Sequence, residues 1–222
     1  NALAEMIASR FNENNTELVD INSMRKERSR INFSKMQSCG NDYIFIENFD
    51  GKITCPESLC VSLCAPHYGI GADGIVLIER SAVADAKMRH FNKDGSEGQM
   101  AGNNIRCVAK FLYDKGYLPK NKYEVKIETA GGTRNLFLFL RDGKVSSVAV
   151  NMGKADFSPS SVPAKAKSAE MINYPLTIDG QIYSVTCISV GNPHCVVFEN
   201  EIDALDLATL GPKFEHCEIF PE

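Results

Sequence analysis

The chain has 222 residues, 44% of them hydrophobic, with a formal net charge of -4. That is enough apolar material for one large or two small globular domains, and the acidic balance leaves no broad basic field for a nucleic acid. No apolar run approaches the roughly 20 residues of a membrane-spanning helix, and no signal-peptide core opens the chain, so a cytoplasmic protein without membrane partners is expected.

Along the chain, residues 1–30 differ in character from the remainder. Leu3, Met6, Ile7 and Arg10 share helical spacing, but Asn12-Glu13-Asn14-Asn15 breaks the pattern. This stretch is read as an extension, and its basic cluster at residues 25–30 as a solvated linker. From Ile31 onward short strands alternate with single helices. Pro56 marks the first turn of a helix running to about Pro66, and residues 74–78 and 88–91 are candidate strands. A second helix starts near Gly102. Its apolar positions Ile105, Val108, Ala109 and Leu112 follow the i, i+3, i+4, i+7 pattern, with Gly116 and Pro119 as stops.

Tyr123, Val125 and Ile127 alternate with charged residues as a strand. Residues 136–140 and 145–150 form a hairpin closed by Asp142-Gly143, and a Ser/Pro/Ala-rich break spans 158–168. Asp179-Gly180 marks another turn within a strand pair over 175–190. A first domain is expected to cover 31–152 and a second 153–222. The eight cysteines are scattered among apolar neighbours, which fits reduced thiols in a core better than a disulfide framework.

Four ordered motifs carry the chemistry. They are Lys35-Met36-Gln37-Ser38-Cys39-Gly40-Asn41-Asp42-Tyr43, His67-Tyr68-Gly69-Ile70-Gly71-Ala72-Asp73-Gly74, the run from Phe91 to Cys107 that contains Gln99-Met100-Ala101-Gly102-Asn103-Asn104, and Gly191-Asn192-Pro193-His194-Cys195. Together they resemble the diaminopimelate epimerase family. The resemblance implies an α+β fold of two pseudo-symmetric domains, each a curved, mostly antiparallel sheet or barrel around a central helix. It also implies a homodimer and interconversion of LL- and meso-diaminopimelate without pyridoxal phosphate or any other cofactor.

Inverting an α-carbon requires one group to remove a proton from one face while another delivers a proton to the opposite face. A thiol at a helix N-terminus suits this work, because unpaired amides and the helix dipole stabilise its thiolate. The resemblance places the first catalytic cysteine at Ala101, whose methyl group can neither take nor give a proton. It assigns Asn41, Asn92 and Asn192 to the polar ends of the substrate, the backbone amides of Gly102 and Asn103 to its carboxylate, and His194 to the neighbourhood of a catalytic thiol. Family members continue beyond Phe220-Pro221-Glu222 into a Cys-Gly-Thr-Gly segment with the second catalytic cysteine, which this sequence does not contain. The chain as written is therefore expected to be inactive.

The sequence departs from the family at Pro66, where an arginine is common, and at Gly74, where some members carry a glutamine. Cys107 lies six residues along the second helix from Ala101, about 9 Å at 1.5 Å per residue, too far to replace the missing thiol. Asn41-Asp42 and Asn92-Lys93-Asp94-Gly95 also read as plain turn residues, and His194 as an ordinary loop histidine. Other readings are a racemase of proline, histidine or another amino acid in the same fold group, and a non-catalytic protein of epimerase fold. Cys60, Cys64 and His67 fall at i, i+4 and i+7 and could present zinc ligands, but a buried helix stripe is the better reading and no metal is expected.

Overall fold

The computed structural model describes residues 30–98 and 100–221. The helix expected over residues 2–11 lies outside them. The longest sheet runs in the order β1 (Phe33–Ser38), β2 (Asn41–Glu47), β3 (Gly74–Glu79), β4 (Ala86–Asn92), β6 (Glu124–Thr129), β7 (Gly132–Arg141) and β8 (Lys144–Val150), with the short β5 (Glu97–Gly98) paired to β4. The pairings are antiparallel except β2–β3 and β4–β6. Both exceptions need crossovers, and α1 (Pro56–Cys64) and α2 (Gly102–Asp114) supply them.

Helix α2 explains the curvature of this sheet. It packs against both edge strands, β1 and β8, so the sheet has to wrap around it. Ile105, Val108, Ala109 and Leu112 are all buried, as their spacing predicts, against Phe45, Val76, Met88, Ile127 and Leu136 on the concave face. The helix ends where Gly116 adopts a positive φ of 83°. There the Tyr117 N–H reaches the Leu112 carbonyl and the Gly116 N–H reaches the Tyr113 carbonyl, the two bonds of a Schellman stop.

The convex face carries a second core. Strand alternation sends Ile44, Ile46, Ile75, Leu77 and Phe91 to this side, where Cys60 and Cys64 of α1 cover them. Strands β2 and β3 are thus buried on both faces, which accounts for their unbroken apolar runs. Helix α1 ends at Cys64, two residues short of the expected Pro66. The cause is the proline itself, which pushes Ala65 out of the helical region to ψ 121°. The chain then turns back so tightly that a Cβ on Gly69 would lie 2.4 Å from the Ser62 carbonyl oxygen.

A three-stranded antiparallel sheet comes next, in the order β11 (Pro193–Val197), β10 (Gln181–Ser189) and β9 (Tyr174–Ile178). Its core of Met171, Leu176, Ile178, Val185 and Cys187 is flanked by Leu210 and Phe214 of α3 (Leu207–Glu215). Both expected Asp-Gly turns close hairpins, with φ positive at Asp142, Gly143, Asp179 and Gly180. Among the described residues no helix is long and apolar enough to cross a membrane.

Candidate active site

Ala101 is the N-cap of α2, in extended conformation, and its carbonyl accepts the first helical hydrogen bond from the Ile105 N–H at 3.1 Å. Among the described residues no side chain caps this end. The N–H groups of Gly102, Asn103 and Asn104 therefore have no intrahelical acceptor and form a ready cradle for an anion. A Cβ on Gly102 would meet the Met152 side chain at 3.6 Å and Arg106 Nη1 at 4.0 Å, both ordinary contacts. Internal packing does not demand a glycine there, and the bare backbone leaves that space over the first turn.

The turn between β1 and β2 approaches the same helix end. Cys39 and Gly40 have φ of 57° and 81°, which closes a tight hairpin and pairs Ser38 with Asn41. Arg106, in the second turn of α2, donates to Ser38 Oγ at 2.7 Å, Asn103 Oδ1 at 2.7 Å and the Gly102 carbonyl at 3.0 Å. It also lies 3.5 Å from Cys39 Sγ. Asn41 Oδ1 is buried and has no hydrogen-bond partner among the described residues.

Asn92 arrives from the end of β4. Its Nδ2 donates to Ser96 Oγ at 3.0 Å, and its Oδ1 is 3.5 Å from the Tyr43 hydroxyl. Burial pushes the Tyr43 hydroxyl above its ordinary pKa, and the neighbouring Asn104 amide works against that rise. Asn104 is 2% exposed, with a side-chain Nδ2 that completes no hydrogen bond. Tyr43 thus stands between the end of β4 and the first turn of α2. Its ring packs on Gly74, where a Cβ would lie 2.5 Å from Tyr43 Cε1 and 2.0 Å from the Phe91 carbonyl oxygen. A glutamine has no room at this position, so the Gly74 departure from some family members is fixed by packing.

The structure brings Asn41, Asn92, Ala101, Gly102 and Asn103 to one end of α2. Among the described residues no hydrogen bond or ion pair ties Asn192 or His194 to this group. Both are exposed, with His194 on β11 opposite Ile188. At the preceding Gly191 a Cβ would lie 3.5 Å from an Arg134 guanidinium nitrogen. Sequence reasoning missed Tyr43, Asn104 and Arg106. Asn103-Asn104 carried a signal, since two poor helix formers in succession open an otherwise strong helix.

Cys107 faces the core and burial raises its thiol pKa, so it turns away from the helix end. The shared helical face expected for Cys60, Cys64 and His67 is not formed. His67 lies beyond the end of α1 with φ 66° and is exposed, because Pro66 has already broken the helix. Cys60 and Cys64 sit with sulfurs 3.8 Å apart, and burial pushes the Cys64 thiol up to about 12, which keeps it protonated. All eight cysteines are free thiols. Among the described residues no group of three or more metal-ligating side chains is assembled.

A sequence model of the diaminopimelate epimerase family matches residues 33–158. The chain belongs to the diaminopimelate epimerase family. It is 41% identical over 198 residues to the diaminopimelate epimerase of Desulfovibrio desulfuricans, covering 86% of this chain and 68% of that protein. The diaminopimelate epimerase of Acetivibrio thermocellus is 42% identical over 190 residues, with 86% and 67% covered. The chain thus spans about two thirds of the length of these family members. Among solved structures, a hydroxyproline epimerase from Agrobacterium vitis superposes with a TM-score of 0.55 at 17% identity, covering 82% of this chain and 53% of that one. A probable proline racemase from Agrobacterium radiobacter gives 0.54 at 17% identity, covering 82% and 53%. These two likenesses concern the fold alone, and they agree with an α+β architecture built on curved sheet.

Proposed function

We propose that the protein is a diaminopimelate epimerase that inverts one α-carbon of its substrate, interconverting the LL and meso forms by two-base proton transfer without pyridoxal phosphate. The observation that carries this reading is the N-terminus of α2, where the family's first catalytic position meets unpaired backbone amides and the buried acceptor of Asn41. An amino-acid carboxylate is a natural ligand for those amides, and the dipole behind them favours the negative charge. Asn41 Oδ1 is suited to accept from the ammonium group.

In the proposed mechanism a thiolate at position 101 exchanges a proton with one face of the α-carbon while a second thiol, in the family's later segment, serves the other. Asn192 and His194 join the site in this reading by closing over the substrate from the second sheet. A homodimer in the cytoplasm completes the picture. With alanine at 101 this chain lacks one proton carrier and is inactive. The test is a chain extended to the length of its curated relatives, with and without Ala101→Cys, assayed for inversion of LL-diaminopimelate. Inversion only with the cysteine, and unaffected by added pyridoxal phosphate, supports the reading; equal inversion without it overturns the assignment.

Ala101 itself favours a second reading, a non-catalytic amino-acid-binding protein of the same fold. In that case Ala101→Cys leaves diaminopimelate bound but not turned over.

A further inference from the structure

Arg106 is half-buried and all its described hydrogen-bond partners are neutral: the Gly102 carbonyl, Asn103 Oδ1, Ser38 Oγ and Cys39 Sγ. No described carboxylate lies within ion-pair distance of it. These partners belong to two segments more than sixty residues apart, the β1–β2 turn and the first turn of α2. A planar fork of donors can serve acceptors on both segments at once, which a lysine ammonium on a flexible stem does poorly.

We propose that Arg106 is a positioning residue that bolts the β1–β2 turn to the N-terminus of α2, setting the Asn41 amide and the free N–H groups of Gly102 and Asn103 at one fixed separation to receive both ends of an α-amino-acid head group. The turn transmits the position because it has no slack. Ser38 and Asn41 are ladder partners across a two-residue turn, so holding Ser38 holds Asn41. The same clamp engages Asn103 Oδ1 and so fixes that side chain beside the helix end. Its charge, unopposed by any described carboxylate within ion-pair distance, adds to the helix dipole and favours an anion at the helix end, whether a substrate carboxylate or a thiolate at position 101.

This inference rests on the reading of the helix end as an amino-acid site, and two arms separate their failures. In the first, no substrate is used: Ala101→Cys is made in the 222-residue chain, and alkylation of that thiol by iodoacetamide is followed against pH by peptide mass spectrometry. Adding Arg106→Gln moves the midpoint upward by about half a pH unit or more, while Arg106→Lys, which keeps the charge, moves it less. In the second, a chain of the relatives' full length carrying Ala101→Cys is assayed with diaminopimelate. Arg106→Lys there raises KM about tenfold while kcat falls less than about threefold, since head-group placement is lost and the proton carriers remain.

A merely structural arginine would lower the melting temperature without moving the midpoint or KM. Folded variants that leave both unchanged overturn the clamp, and Arg106→Lys decides if Arg106→Gln does not fold. A full-length parent that shows no epimerisation overturns the epimerase reading, and the alkylation arm still decides the clamp.

Discussion

On β3 every residue from Gly74 to Ile78 is buried, whereas on β11 Pro193, His194 and Cys195 are all exposed. The contrast extends to the regions around them. Residues 33–150 bury both faces of their central strands, one against α2 and the other against α1. Residues 153–221 have a single small core, flanked by many half-buried side chains. Site residues attached to the first region inherit its rigidity: the β1–β2 turn, the end of β4 and the start of α2 are each anchored in a packed element. The motif on the second sheet is held by its ladder to β10, whose Cys187 is buried, while its own side chains are exposed. Five of the seven candidate positions are therefore carried on elements of the first region, and two, Asn192 and His194, at an exposed strand.

This comparison breaks most directly at Gly74. Gly74→Gln places a side chain on the Phe91 carbonyl and the Tyr43 ring, and is expected to abolish folding or cost more than about 4 kcal/mol, read by denaturant unfolding. A conservative loss elsewhere in the same region is milder. Ile75→Ala removes a fully buried side chain from the convex core and should cost about 2–5 kcal/mol. Phe214→Ala, from the half-buried margin of the second core, should cost only about 1–2 kcal/mol because less apolar area returns to water. Equal losses for Ile75→Ala and Phe214→Ala would show that the two regions do not differ in packing as described.

The pH dependence sharpens the same contrast. His90 on β4 is 5% exposed, and burial lowers its pKa, with Glu97 opposing the shift. Its folded value lies below the unfolded value of about 6.5, so the unfolded chain takes up the proton first. The stability tied to neutral His90 is full above that value and is lost as pH falls through the folded one. His90→Gln should flatten the slope of stability against pH on the acid side of neutrality; an unchanged slope would place the acid sensitivity elsewhere.

The smallest effect is expected at Tyr43→Phe. It removes a hydroxyl that is only weakly placed on Asn92, and should change stability by less than about 1.5 kcal/mol while loosening the Asn92 side chain. Separate NMR side-chain amide signals for Asn92 in the two proteins check this.

Legibility in the sequence tracked the range of the interactions. Helix α2 could be read because its apolar stripe and its glycine stop lie within fifteen residues, and both Asp-Gly hairpins because turn chemistry is local. Pro66 carried the correct end of α1 in plain view, yet the stripe of Cys60, Cys64 and His67 was extended past it. Tyr43, Asn104 and Arg106 could not be assigned roles from spacing, since their roles depend on contacts between segments distant in the chain. The roles expected of Asn192 and His194 came from resemblance alone, and among the described residues no hydrogen bond ties them to α2.

In the proposed mechanism position 101 is where a proton carrier meets the α-carbon. The most direct measurement is deuterium incorporation into diaminopimelate in heavy water, with chiral separation of the products, for a chain of the relatives' full length with alanine or cysteine at 101. The account predicts inversion with deuterium at the inverted carbon for Ala101→Cys, and none for alanine beyond exchange with retained configuration at the face served by the other thiol. Equal inversion by both proteins would contradict it.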